Sequence, residues 1–327
     1  MDFAAAISNF THPVILFFFL GIFAVLVKSD LEIPPQVGKF LSLYLLFHIG
    51  IKGGWELFRE EASGQMLIAL VVCVLGSFLV PFLIYGILRK KLDPYDAGGV
   101  AAAYGSISAV TFVTAMAYLE NKGIDYGGHM IAGMALMESP AIIAGLILIR
   151  MNTKASEGVP TKSLGESLTP AVKESLVNGS VLMLVGSLVI GYISGADGED
   201  DLTVFVDNIF YGMLTLYMLD MGLLAGARLN ELRKSGPFLI LFALLFPPII
   251  GTAAIFLCWA LGYDKGDALL QSILFASASY IAVPAAMRIA EPKVNLSVLL
   301  SMSLVVTFTF NVSIGIPLYY STISALW

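Results

Sequence analysis

The sequence predicts an all-α integral membrane protein of ten transmembrane helices, arranged as two five-helix inverted repeats. Three observations predict it. Of 327 residues, 58% are hydrophobic and only 13% charged, whereas a soluble domain carries roughly 25% charged residues. Apolar runs approaching the roughly 20 residues that span a bilayer recur along the whole chain. The two halves of the chain also share motifs in the same order. The formal net charge of −6 says little by itself, and the scattered basic residues offer no patch for nucleic acid.

Taken in order, the predicted spans of the first half are 12–27, 36–55, 66–88, 96–119 and 127–151. Those of the second half are 172–194, 203–229, 237–262, 267–290 and 296–321. The fourth, rich in Ala, Gly, Ser and Thr, is expected to be the weakest by hydropathy. Residues 1–11 lack a basic stretch and a cleavage site, so the run after them reads as a first span rather than a removable signal. The polar linker 152–168 separates a first repeat, 1–151, from a second, 169–327. Lys and Arg concentrate in cytoplasmic loops. With both termini outside, 14 of the 18 basic residues fall inside, and only Lys52, Arg59, Lys122 and Lys265 fall outside. The expected location is the bacterial plasma (inner) membrane.

Smaller signals are mostly structural. Cys73 and Cys258 sit within apolar spans and read as buried small side chains. His12, His48 and His129 have no metal-ligand spacing. Asp96 and Asp267 open their spans and read as helix caps. Arg288, Glu120 and Glu291 at span ends are expected to snorkel, and Trp55, Tyr319, Tyr320 and Trp327 to anchor at the membrane interface.

The repeat rests on two alignments. His48–Gly54 matches Asp220–Gly226, each with Gly-x-x-x-Gly, which lets helices approach closely in lipid. Span four matches span nine at an offset of 171, pairing Asp96 with Asp267, Ser106 with Ser277, Ser108 with Ser279 and Glu120 with Glu291. Because five is odd, two five-span units in one chain insert in opposite senses, an arrangement typical of secondary transporters.

In such folds, substrate binds near the midplane where helices break. The best candidates for breaks are Tyr104–Thr111 and Ala276–Pro284, both packed with small and hydroxyl residues. Two half-helix N-termini meeting at one point would suit a small anion. The alternative is that the small residues only permit tight packing. Glu138 lies within span five beside Ser139 and Pro140, with Asn311 near its counterpart position in span ten. A carboxylate at that depth could hold a coupling cation or carry a proton, or could bond the backbone groups freed by Pro140. His48 and Asp220 could belong to a gate or simply tie helices together.

These residues carry a resemblance. Gly105-Ser106-Ile107-Ser108 through Leu119-Glu120, Glu138-Ser139-Pro140-Ala141, Ala276–Pro284 and the closing Gly315-Ile316-Pro317-Leu318 are similar to the cyanobacterial sodium-dependent bicarbonate transporter family over nearly the whole chain. The resemblance implies a gate domain from spans one, two, six and seven, a core domain from spans three to five and eight to ten, and discontinuous spans four and nine. It implies sodium-coupled bicarbonate import, a homotrimer, and a cytoplasmic PII-like regulatory partner. It places the anion pocket on Gly105, Ser106, Ser108, Thr111, Ser277 and Ser279, with Tyr280 beside them. Cation coupling falls to Glu138, with Ser139 and Asn311. The chain departs from the family at Ala109 and Val110, within a Ser-Gly-Ser-Thr run, and at Tyr280, where the family has Asp. Sodium is the expected coupling ion, and no other cofactor is expected. The alternatives are a proton- or sodium-coupled carrier of another carboxylate or small metabolite, and an intramembrane hydrolase, against which the lack of a His-Glu-x-x-His helix argues.

Overall fold

The structure, a computed structural model, describes residues 11–60, 63–153 and 179–327. The first three helices are α1 (Pro13–Leu26), α2 (Pro35–Arg59) and α3 (Gly64–Leu88). The fourth span is two half-helices, α4 (Pro94–Gly105) and α5 (Ala109–Glu120), followed by α6 (His129–Thr153). Then come α7 (Gly179–Thr203), α8 (Phe210–Ala227), the short α9 (Leu229–Ser235) and α10 (Pro237–Leu261). The ninth span is again divided, into α11 (Lys265–Ala276) and α12 (Ala282–Ala290), and α13 (Leu296–Leu326) closes the chain. The described residues contain no strand. The linker from residue 154 onward and the predicted start of span six at 172–178 lie outside the described residues.

Among the described residues, seven helices are long and apolar enough to cross a membrane, which makes the chain a multi-pass membrane protein. Of the other predicted spans, α1 has 14 residues, α2 carries Lys39, Lys52, Glu56 and Arg59, and the ninth is cut in two. The fourth span is not the weakest by hydropathy, since α8 falls below it, and 94% of its most apolar stretch is buried inside the protein. Its small residues face other helices rather than lipid.

Close backbone approach fixes the helix pairs. α2 packs on α7 and α8 on α1. A Cβ on Gly50 would stand 2.5 Å from the Leu184 carbonyl oxygen, and one on Gly222 would overlap the Phe18 carbonyl. Both glycines belong to the repeated Gly-x-x-x-Gly motif, and the helices they meet, α7 and α1, are themselves counterparts under the repeat. α3, α4 and α6 pack together, as do α10, α11 and α13. Gly195, with φ 54°, bends α7 where it meets the Phe58 ring.

Several polar residues do other work than the sequence suggested. Asp93, not Asp96, caps α4, accepting from Tyr95 N–H at 2.8 Å and Asp96 N–H at 3.1 Å. Asp96 instead accepts from Asn295 N–H at 2.7 Å, and Asp267 from Gly127 N–H at 2.7 Å. Each ties the start of a broken helix to the start of the helix that follows its counterpart. Glu120 and Glu291 are held in ion pairs, with Lys52 and Arg150, instead of snorkelling. Trp55 and Tyr319 are buried in the protein rather than anchored at an interface. The Tyr319 hydroxyl donates to Asn311 Oδ1 at 3.2 Å.

Candidate functional site

Two interruptions build the candidate site, and local chemistry explains each. α4 stops at Gly105 because Ser106 turns extended (φ −91°, ψ −170°). α5 restarts behind Ser108, whose side chain accepts from Thr111 N–H at 3.2 Å. α11 stops at Ala276 and Ser277 is extended (φ −97°, ψ 173°). Ser279 accepts from Val283 N–H at 3.2 Å, so it too bonds the first turn of the helix that follows, although Ile281 holds the cap position of α12. Pro284 lies in the first turn of α12, where an N–H would have no intrahelical partner.

The two interruptions cross and bond to each other. Ser108 N–H donates to Ser277 Oγ at 3.0 Å, and Ser279 N–H donates to the Ala103 carbonyl at 2.8 Å. Gly105, Ser106, Ser108, Thr111, Ser277, Ser279 and Tyr280 are all buried. A Cβ on Gly105 would drive into the Pro81 ring, so the end of α4 seats directly on α3.

Beside this crossing lies a cavity of about 50 Å³. One wall is Ser108–Val110, Glu138 and Ser279–Ala282; the other is Ser42 and Leu45 of α2, Ser180 and Leu184 of α7, and Tyr217 of α8. A water needs about 10–15 Å³ of such space, so the volume suits a small ion rather than a large metabolite. Ser108, Ser279, Tyr280 and Glu138 thus reach the cavity. Gly105, Ser106, Thr111 and Ser277 stand behind its wall, and the Ser106 hydroxyl is buried there with no hydrogen-bond partner among the described residues. Neither Ser139 nor Asn311 lines the cavity. The Asn311 amide donates to the Ala276 carbonyl at 2.8 Å, the acceptor left free where α11 ends.

The donor balance of the wall is one-sided. A serine hydroxyl has one hydrogen and two lone pairs. Ser108 Oγ accepts from both Thr111 N–H and Thr111 Oγ1, the latter at 2.9 Å. Its own hydrogen is left to point elsewhere. The N–H groups of Ala109 and Val110, in the first turn of α5, have no intrahelical acceptor, and both residues line the cavity. Tyr280 adds a phenol that lies by Ser108 without closing a well-formed hydrogen bond. Glu138 is the one carboxylate on this wall, and it makes no hydrogen bond or ion pair among the described residues. Those residues contain no group of three His, Cys, Asp or Glu side chains that could hold a metal ion.

Sequence reasoning did not single out Ser42, Ser180 or Tyr217. Each is a single hydroxyl side chain of a kind common in membrane helices, and no motif marks it. His48 and Asp220 do not reach the cavity. His48 Nδ1 lies 2.9 Å from the Val206 carbonyl oxygen and its ring stacks on Phe210, while Asp220 sits against Gly38.

Comparison with known proteins gives a family match. A family model described as the Na+-dependent bicarbonate transporter superfamily matches residues 13–324. A search of curated proteins finds no match. The family model covers nearly the whole chain, which therefore belongs to the Na+-dependent bicarbonate transporter superfamily.

Proposed function

From that membership we propose that the protein is a secondary active transporter that imports bicarbonate together with sodium by alternating access. The observation that carries the proposal is the cavity wall of Ser108, Ala109 and Val110. There the first-turn N–H groups of α5 lack intrahelical acceptors and Ser108 Oγ already accepts twice, which leaves donors rather than acceptors for an anion. The cavity lies between two groups of helices, α1, α2, α7 and α8 on one side and the remainder on the other, which we take as gate and core. Exchange of the α2–α7 and α8–α1 contacts under the sequence repeat supports two inverted five-helix units.

Glu138 supplies the coupling. A carboxylate and an anion in one cavity of about 50 Å³ repel each other. A cation placed between them removes the repulsion, so the anion is held firmly only when the cation is present. Tyr280, where the related family has Asp, leaves Glu138 as the charge that attracts that cation.

The test is uptake of labelled bicarbonate into proteoliposomes with and without an inward sodium gradient. Sodium-dependent accumulation is expected. Uptake indifferent to sodium would overturn the coupling, and preferential uptake of another carboxylate would overturn the substrate.

A further inference from the structure

Glu120 and Glu291 occupy equivalent places, 171 residues apart, at the ends of the second half-helices α5 and α12. Their partners differ. Glu291 lies 3.2 Å from Arg150 at the end of α6, both side chains about nine-tenths buried, so this pair joins two members of the core group. Glu120 lies 2.7 Å from Lys52 on α2 and accepts from the Tyr126 hydroxyl at 2.9 Å. Lys52 also lies 3.4 Å from Asp207. This second constellation crosses from core to gate.

The end of the molecule that holds Lys52 is sealed in other ways too. Glu60, just past α2, lies 2.7 Å from His129 at the start of α6. The Tyr211 hydroxyl of α8 donates to the Ala117 carbonyl of α5 at 3.2 Å. A Cβ on Gly128 would stand 2.5 Å from the Gly53 carbonyl oxygen, so the backbones touch there. The cavity lies on the other side of this seal, along the earlier turns of α2 at Ser42, Leu45 and Ile49. Within the seal a second, smaller cavity of about 40 Å³ remains between α1, α5 and α8, bordered by His12, Thr114 and Leu214.

We propose that the Lys52–Glu120 ion pair, supported by Tyr126 and Asp207, is the outer gate of the transport cycle. The pair is made while the cavity faces the linker end of the molecule, and it breaks when the smaller cleft opens on the opposite side. The proposal rests on the alternating-access reading above and adds the residues that hold one of its two states. Only one of the two equivalent glutamates bridges gate and core, so the bridge favours the state seen in the structure over the alternative.

The experiment uses the full chain carrying Thr114→Cys, in proteoliposomes of known orientation, labelled by a membrane-impermeant maleimide. The native Cys73 and Cys258 are buried, and the chain without the new cysteine measures their background. Lys52→Met and, separately, Glu120→Gln are expected to speed labelling from the outer face on the order of five- to tenfold, as expected for loss of a partly exposed pair. The double variant Lys52→Met with Glu120→Gln is expected to be labelled no faster than the single variants, as for two partners in one interaction, and Glu291→Gln does not raise the rate. An unchanged rate in both single variants, or equal acceleration by Glu291→Gln, would overturn the proposal. Acceleration seen only from the opposite face would overturn the assignment of this end as the outer one. Labelling needs no substrate, so a protein that carries a different anion still passes or fails this test on its own.

Discussion

Replacing Ser108 by Ala separates a structural role from a transport role at the same atom. The hydroxyl caps α5 through Thr111 N–H, and loss of such a cap costs about 1 kcal/mol of stability. If its hydrogen is also given to the bound anion, the variant loses a bond to a charged group as well, worth about 1.5–3 kcal/mol. At about 1.4 kcal/mol per tenfold, that corresponds to roughly a 10- to 150-fold rise in the bicarbonate KM. Ser63→Ala is the matched control. Ser63 caps α3 by accepting from Met66 N–H at 3.1 Å and stands outside the cavity. Both variants should lower the melting temperature in detergent by a similar amount, while only Ser108→Ala should raise KM in proteoliposome uptake. A KM within threefold of wild type for Ser108→Ala, with the same loss of stability as Ser63→Ala, would reduce Ser108 to a helix cap and remove the main support for an anion site.

Three further outcomes are expected. Glu138→Gln should leave bicarbonate able to enter the cavity but abolish accumulation against its gradient, because the charge that ties anion to cation is gone; full sodium dependence in this variant would place the coupling elsewhere. Asn311→Ala leaves the Ala276 carbonyl buried without its donor, and a melting-temperature loss equivalent to about 1–3 kcal/mol is expected, larger than for Ser63→Ala. Gly222→Val places a side chain against the Phe18 backbone, where nothing flexible can yield, so at least about 2 kcal/mol of destabilisation should appear in a detergent unfolding curve.

Most of the helical layout was legible because a membrane span is a length-and-polarity signal, read residue by residue without tertiary knowledge. The two helix breaks were legible for a different reason. Tyr104–Thr111 and Ala276–Pro284 concentrate residues that bond backbone locally, and the structure interrupts its helices within both segments. What sequence could not show was the partner of each polar group. Asp96 and Asp267 stand at helix starts, so capping was the natural expectation, yet adjacent Asp93 takes that role at one site and distant loops claim both carboxylates. Asn311 was grouped with Glu138 by its repeat position, and only the fold reveals that the freed Ala276 carbonyl occupies its amide. Likewise the facing wall of Ser42, Ser180 and Tyr217 exists only once α2, α7 and α8 are set against the breaks.

The departures from internal symmetry carry as much information as the symmetry. Two equal halves with equal contacts would leave inward- and outward-facing states equal in energy, and a carrier so balanced would gain no preferred resting side. The halves here are matched where the chain must fold, in the glycine contacts of α2 and α8 and in the paired serines that bond the first turns of α5 and α12. They differ where, on the proposed cycle, the states would be weighted: Glu120 pairs with Lys52 of α2, whereas Glu291 pairs with Arg150 of α6. They differ again at the ion site, where Glu138 enters the cavity and Asn311, in the other half, is spent on a backbone carbonyl. On the proposed function, one carboxylate rather than two then faces the anion, so fewer cations are needed to offset the repulsion than if both halves supplied one.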